Sequence, residues 1–193
     1  DLFVFSDEVY RHLNFDSDEI FSIATLPGMK ERTLIIDSVS KSFAMTGFRV
    51  GFATGPVHLI ELMTKCVENV YSAVATPSQY AALVAFDKGM EAMMAMKKEY
   101  KKRRDFLVSR INEMDKISCI MPKGAFYVFA NIKKTGLSAE EFAERLLEKE
   151  HVAVIPGSNF SKNASGYVRI SYGTSMEKIE DGLNRMERFL KSL

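Results

Sequence analysis

Long apolar runs, paired cysteines and an excess of either charge are all missing from these 193 residues. No stretch approaches the roughly 18 apolar residues that a membrane-spanning helix needs. The apolar start of the chain is interrupted by Asp7 and Glu8, so it carries no signal-peptide pattern. With 26 basic and 25 acidic residues the net charge is +1, which gives no reason to expect nucleic acid or an anionic membrane as a partner. Only two cysteines occur, Cys66 and Cys119, both among apolar neighbours and without CxxC or His/Cys ligand spacing. They are expected to be buried free thiols in a reducing compartment, the cytoplasm. His12, His58 and His151 share no metal-ligand spacing, so no metal is expected. Neither a P-loop nor a G-x-G-x-x-G run is present. Ser158, after Gly157, lacks the second glycine of a nucleophile elbow. Asp1 is not a natural start, and the chain opens directly in Leu2-Phe-Val-Phe5, so a fragment or a processed chain is expected.

What is present is enough apolar content, 47%, to bury a core in one large domain or two small ones. Leu2–Phe5 reads as a strand buried on both faces, ending at Ser6-Asp-Glu-Val-Tyr10. Residues 11–32 read as a loop with a short helix, broken by Pro27-Gly28. Thr33–Asp37 and Val50–Thr54 are further strand-like runs. Pro56 opens a helix with Leu59, Ile60, Met63 and Val67 on its apolar face, and another helix starts near Pro77. Residues 90–114 form a long amphipathic helix whose buried stripe is Met93, Met96, Tyr100, Leu107, Ile111 and Met114. Its cluster Lys97, Lys98, Lys101, Lys102, Arg103 and Arg104 reads as a solvated face. After it, Ile117–Met121 and Ala125–Ile132 read as two strands around a turn. Ser138-Ala-Glu-Glu141 is a capping box, Val152–Ile155 and Tyr167–Tyr172 are strands, and Thr174-Ser-Met-Glu177 caps a last helix faced by Ile179, Leu183, Met186 and Phe189/Leu190. The fold class is therefore α/β: residues 1–90 form part of a mostly parallel-sheet domain, and 91–193, with the long linking helix, form a smaller α+β domain.

The residues with chemistry cluster around Ser38-Val-Ser-Lys-Ser-Phe-Ala-Met-Thr-Gly-Phe-Arg-Val-Gly51. Lys41 stands among small hydroxyls and Phe43, with no carboxylate within three residues, a setting that suits an amine able to attack a carbonyl. Arg49 could hold two phosphate oxygens at once, and the Ser38 hydroxyl could donate to the same group. Asp7 could hold a heteroaromatic ring nitrogen from a buried position, and Tyr10 could donate to a ring oxygen. Arg169, mid-strand between Val168 and Ile170, could clamp a substrate carboxylate. Each has a plainer reading: Lys41 in an ordinary loop, Arg49 as a surface charge, Asp7 as a cap beside a core Tyr10, and Arg169 facing water through strand alternation.

Taken together, these segments resemble the class I aminotransferases, pyridoxal-phosphate enzymes of fold type I of the aspartate/aromatic kind. Ser38–Gly51 is similar to the family's lysine motif, and Asp7-Glu-Val-Tyr10 to the strand-end motif before it, here 34 residues ahead of Lys41. Pro122-Lys-Gly-Ala-Phe-Tyr127, Val154-Ile-Pro-Gly157 and Tyr167-Val-Arg-Ile-Ser-Tyr172 resemble its later motifs in the same order. The resemblance implies transamination between an amino acid and a 2-oxo acid through a pyridoxal 5'-phosphate Schiff base on Lys41. It implies that Asp7 pairs with the ring nitrogen, Tyr10 with the ring's 3'-oxygen, Ser38 and Arg49 with phosphate, and Arg169 with the substrate's α-carboxylate. It also implies a homodimer.

Two departures limit what is carried over. The family's N-terminal half supplies a glycine/serine phosphate loop, a ring-stacking aromatic and an asparagine, none of which is here. The 193-residue piece alone is therefore expected to be inactive and to leave a hydrophobic sheet edge exposed. Some aspartate-selective members carry an arginine in the segment matching Glu68-Asn-Val-Tyr-Ser72, and no arginine stands there. A lyase on the same fold, a non-catalytic sensor domain of a transcription regulator, and a scaffold in which Lys41 is incidental remain open at this stage.

Overall fold

A computed structural model describes residues 2–17 and 19–193; Asp1 and Asp18 lie outside the described residues. The chain divides into two compact units, Asp1–Lys97 and Lys98–Leu193. The first holds strand β1 (Val4–Asp7), strand β2 (Thr33–Ser38), a one-turn helix α1 (Val39–Ser42), strand β3 (Gly51–Thr54) and helices α2 (Val57–Val70) and α3 (Thr76–Lys88). Helix α4 (Met90–Glu113) carries the division between the units. The second unit continues with β4 (Ser118–Cys119), β5 (Tyr127–Asn131), α5 (Ala139–Glu150), β6 (Ile155–Pro156), β7 (Tyr167–Ser171) and α6 (Met176–Lys191).

In the first unit the sheet order is β1-β2-β3. β1 lies parallel to β2, with Val4 opposite Thr33 and Asp7 opposite Ile36. β3 returns antiparallel, with Gly51 opposite Ser38 and Thr54 opposite Ile35. The carboxyl ends of β1 and β2 and the start of β3 therefore meet at one end of the sheet. Leu34 and Val39 are buried in the core under this end, with Leu13 from a 3-10 turn at Arg11–Leu13. Gly55, at the end of β3, admits close approach: a Cβ there would stand 2.9 Å from the Thr33 carbonyl oxygen.

The first strand begins two residues later than the apolar run predicts, and it is not buried on both faces. Leu2, Phe3 and Phe5 are exposed, and β1 is an edge strand with β2 on one side only. The face of α2 is half-covered, with Leu59, Ile60, Met63 and Val67 all of intermediate exposure. Cys66, on the same helix, is exposed rather than buried.

The second unit is an antiparallel sheet of order β4-β5-β7-β6. Val128 and Ala130 of β5 and Val168 of β7 point into its core, with Ala130 opposite Val168. Helix α5 starts where the sequence indicates. The Ser138 side chain accepts from the Glu141 N–H, while the Glu141 carboxylate accepts from the Ser138 N–H. Ala139, Phe142 and Leu146 then bury one face. α6 buries Ile179, Leu183, Met186, Phe189 and Leu190, and Phe142 meets Phe189 edge-on at 5.4 Å. Its N-cap is Ser175, which accepts from the Lys178 N–H, rather than Thr174. The strand predicted over 152–155 is short, since only Ile155–Pro156 pair with β7.

The basic cluster on α4 is not wholly solvated. Arg104 is 5% exposed and donates to Asp105 and, through Nη1 at 2.9 Å, to the Pro122 carbonyl. Helical periodicity turns it toward the same side as Leu107 and Ile111, where only a hydrogen-bonded guanidinium is tolerated. Among the described residues no helix is long and apolar enough to cross a membrane.

Truncating Phe142 to Ala should cost about 3–5 kcal/mol by emptying the α5–α6 contact, and Ser138→Ala about 1 kcal/mol by removing the cap; urea midpoints check both. Burial pushes the Cys119 thiol up to about 11, so at about pH 8 a thiol alkylator should modify exposed Cys66 well before Cys119. Peptide mass mapping reads the order.

Candidate active site

Five of the six residues singled out in the sequence lie at the end of the sheet where β1 and β2 finish and β3 begins. Asp7 is the last residue of β1 and Ser38 the last of β2. Lys41 lies in the turn of α1 directly after β2, and Arg49 two residues before β3 starts. Tyr10 enters the 3-10 turn after β1, and the Lys41 ammonium lies 5.9 Å from its ring centroid. In a sheet with parallel strands, the loops beyond the carboxyl ends are where ligands are met.

The local geometry follows from capping. Ser38 is the N-cap of α1: its Oγ accepts from the Ser40 N–H at 3.3 Å. Val39 N–H donates to the Val50 carbonyl at 3.3 Å, so Ser38–Val39 and Val50–Gly51 run side by side. Between them the chain makes a tight excursion in which Ala44 (φ 53°) and Arg49 (φ 57°) both take the left-handed conformation. Two such residues in six are a local strain that the surroundings must hold.

The donors left over matter for what could bind. Arg49 is exposed, and among the described residues only its Nη1 is used, donating to the Thr46 carbonyl at 2.8 Å. The Ser38 hydroxyl proton has no acceptor among the described residues. A guanidinium and a hydroxyl with spare donors at one strand end suit a phosphate group. Arg49 also lines an open cleft of about 870 Å³ with Asp37, Gly47, Phe48, Gly51 and Phe52, whereas Asp7, Tyr10, Ser38 and Lys41 do not line it. Asp7 is exposed rather than buried. Its Oδ1 accepts from the Val9 N–H at 3.2 Å.

Arg169 belongs to the second unit, on the centre of β7 opposite Phe129 and Ile155. Its guanidinium is flanked by the rings of Tyr127 at 4.4 Å and Phe160 at 4.5 Å. No carboxylate among the described residues pairs with it. It is half-buried, which sets aside simple exposure through strand alternation.

Sequence reading missed the charges beneath the first-unit site. Asp37 and Glu8 are buried, and Arg11 lies between them, 3.7 Å from Asp37 and 3.6 Å from Glu8. The Ser38 N–H donates to Asp37 Oδ1 at 2.6 Å. Burial pushes the Asp37 carboxyl up, while the Ser38 N–H and Arg11 pull it back. The only signals in the sequence were Glu8 and Arg11 three apart and an aspartate ending an apolar run. Among the described residues no group of three or more His, Cys, Asp or Glu is placed to hold a metal.

With this geometry in view, the chain can be set beside known proteins. It matches the model of aminotransferase class I and II over residues 1–186, and it belongs to that family. An aspartate aminotransferase of Pyrococcus abyssi is 47% identical over 193 residues, which is 99% of this chain and 49% of that protein. The aromatic-amino-acid aminotransferase 2 of Thermococcus litoralis is 44% identical over the same length, again 99% of this chain and 49% of the relative. The crystal structure of an aromatic aminotransferase from Pyrococcus horikoshii matches with a TM-score of 0.95 at 46% identity, over 99% of this chain and 51% of the other. The chain thus spans about half the length of these relatives. Family members use pyridoxal phosphate. The donor set at the β1–β2 end, an amine, a phenol, a carboxylate, a hydroxyl and a guanidinium, fits that group.

Burial and the neighbouring Arg11 hold the pKa of His12 below its ordinary 6.5. The folded state therefore resists protonating it. The stability tied to its neutral form is complete above about 6.5 and is lost as the pH falls toward the lower folded value. His12→Gln should flatten the loss of stability as the pH falls below about 6.5, read as urea midpoints at each pH.

Proposed function

We propose that the protein carrying this chain is an aminotransferase that moves an amino group between an amino acid and a 2-oxo acid, with pyridoxal 5'-phosphate held at the β1–β2 end. The observation that carries this reading is the convergence of Asp7, Tyr10, Ser38, Lys41 and Arg49 at that end. When bound, the cofactor supplies an aldehyde carbon and an electron-withdrawing ring. The chain's own residues bind and orient it. Ser38 and Arg49 hold the phosphate with donors they do not spend on the protein. The Asp7 carboxylate would take the ring nitrogen and the Tyr10 phenol the ring oxygen. Lys41 Nζ is the attachment point and carries a proton to and from the reacting carbon. Arg169 would hold the substrate carboxylate through its guanidinium, which lies within 4.5 Å of the Tyr127 and Phe160 ring centroids.

The domain reading stays as a cofactor-binding portion over 1–90 and a small domain over 91–193. The names of the relatives make aspartate, phenylalanine and tyrosine the first amino donors to try with 2-oxoglutarate. The absence of arginine in Glu68–Ser72 argues against selectivity for a dicarboxylate from this segment. We place the protein in the cytoplasm, supported by two unbridged thiols, and as a homodimer, supported by the family resemblance. The 193 residues alone should show no transamination, since the exposed apolar edge at Phe3 and Phe5 lacks its cover.

The test is an absorbance spectrum of the full-length protein with pyridoxal phosphate. Wild type should give a visible band that Lys41→Ala lacks. A band in both, or in neither, would remove Lys41 as the anchor. Arg169→Ala should raise KM for the amino donor about 10- to 100-fold and leave the band intact, the loss expected for a charged hydrogen-bonded pair.

A further inference from the structure

Three of the proposed cofactor residues, Asp7, Tyr10 and Ser38, each stand next in sequence to one member of a charged triad made of two buried carboxylates and the one-third-exposed side chain of Arg11. Glu8 follows Asp7, Arg11 follows Tyr10, and Asp37 precedes Ser38. The side chains of Glu8 and Asp37 are 7% and 5% exposed, and Arg11 lies between them at 3.6 and 3.7 Å. Glu8 Oε1 also accepts from the hydroxyls of Ser6, at 3.0 Å, and Ser22. Among the described residues Glu8 Oε2 and Arg11 Nε have no hydrogen-bond partner, only these longer ion-pair contacts. Two buried carboxylates around one cation, with polar atoms left over, are a poor source of stability; apolar residues of the same volume would do better. What the triad does supply is position. It ties the end of β1 to the end of β2, and Asp37 takes the Ser38 N–H at 2.6 Å, where α1 begins.

We propose that Arg11 is a positioning residue: by bridging Glu8 and Asp37 it holds the two strand ends so that Ser38 and Lys41 present their side chains to the cofactor. This rests on the reading of Lys41 and Ser38 given above. The hydroxyl of Ser38 is oriented through its own backbone, which Asp37 grips, and Asp37 is in turn held by Arg11. Removing the bridge frees the cap residue without touching any atom that meets the cofactor.

The test uses the full-length protein and pyridoxal phosphate as the probe, with Arg11→Met, Asp37→Asn and the double variant. The dissociation constant is read from the visible band, and the thermal midpoint of the cofactor-free protein is measured alongside. Each single variant should weaken cofactor binding by about tenfold or more, and the double should be no weaker than the worse single, because both cut one chain of contacts. Arg11→Lys, which keeps the charge, should restore part of the loss. The band should still form at saturation, since Lys41 is intact. Cofactor affinity within about twofold of wild type, or losses that multiply in the double, would overturn the proposal, even if thermal midpoints fall. Should Arg11→Met not fold, the near-isosteric Asp37→Asn carries the same comparison against wild type. Lys41→Ala separates the two claims. A band lost there with the triad variants binding normally sinks the triad alone, and no band in wild type sinks both.

Discussion

The parallel pairing of β1 with β2 is the constraint on which the first unit depends. Asp7 opposite Ile36 fixes the register, and a parallel pair brings both carboxyl ends to the same side. From there the loops leave together, carrying Tyr10 on one and Lys41 on the other, and β3 returns with Arg49 at its mouth. A slip of one residue would turn each side chain of the slipped strand to the other face and separate Asp7 from Ser38. The register is held by backbone bonds such as Glu8 N–H to the Ile36 carbonyl at 2.8 Å, and by the charged bridge through Arg11.

The second unit solves a different problem. Arg169 must carry a charge in the middle of a strand whose neighbours Val168 and Ile170 are apolar. It does so with its guanidinium 4.4 Å from the Tyr127 ring and 4.5 Å from the Phe160 ring, close enough for cation–π attraction to both. The strand that holds it is an inner strand of an antiparallel sheet against which α5 packs, with α6 on α5, so the guanidinium is borne by a rigid element.

Much of this was legible before any coordinates. The capping box at Ser138, the stripe of α6 and the two strands flanking the lysine segment follow from local patterns that need no partner to interpret. So did the chemical candidates, because Lys41, Ser38 and Arg49 are close in sequence. What could not be read is what lies over each face. Leu2, Phe3 and Phe5 look like a buried strand, yet all three are exposed, and an apolar run does not say by itself whether a layer covers it. Arg104 sits in a run of basic residues, but its burial is decided by the Pro122 carbonyl 18 residues away. Asp37 looked like the polar end of a strand, and only the fold brings Arg11 beside it across β1 and β2.

The central claim is that Lys41 is where the cofactor joins the protein. Borohydride reduction of the full-length protein with pyridoxal phosphate, followed by peptide mass mapping, tests it most directly. The account predicts a single stable adduct on the peptide containing Lys41. An adduct on any other lysine in its place, or none at all, would contradict it.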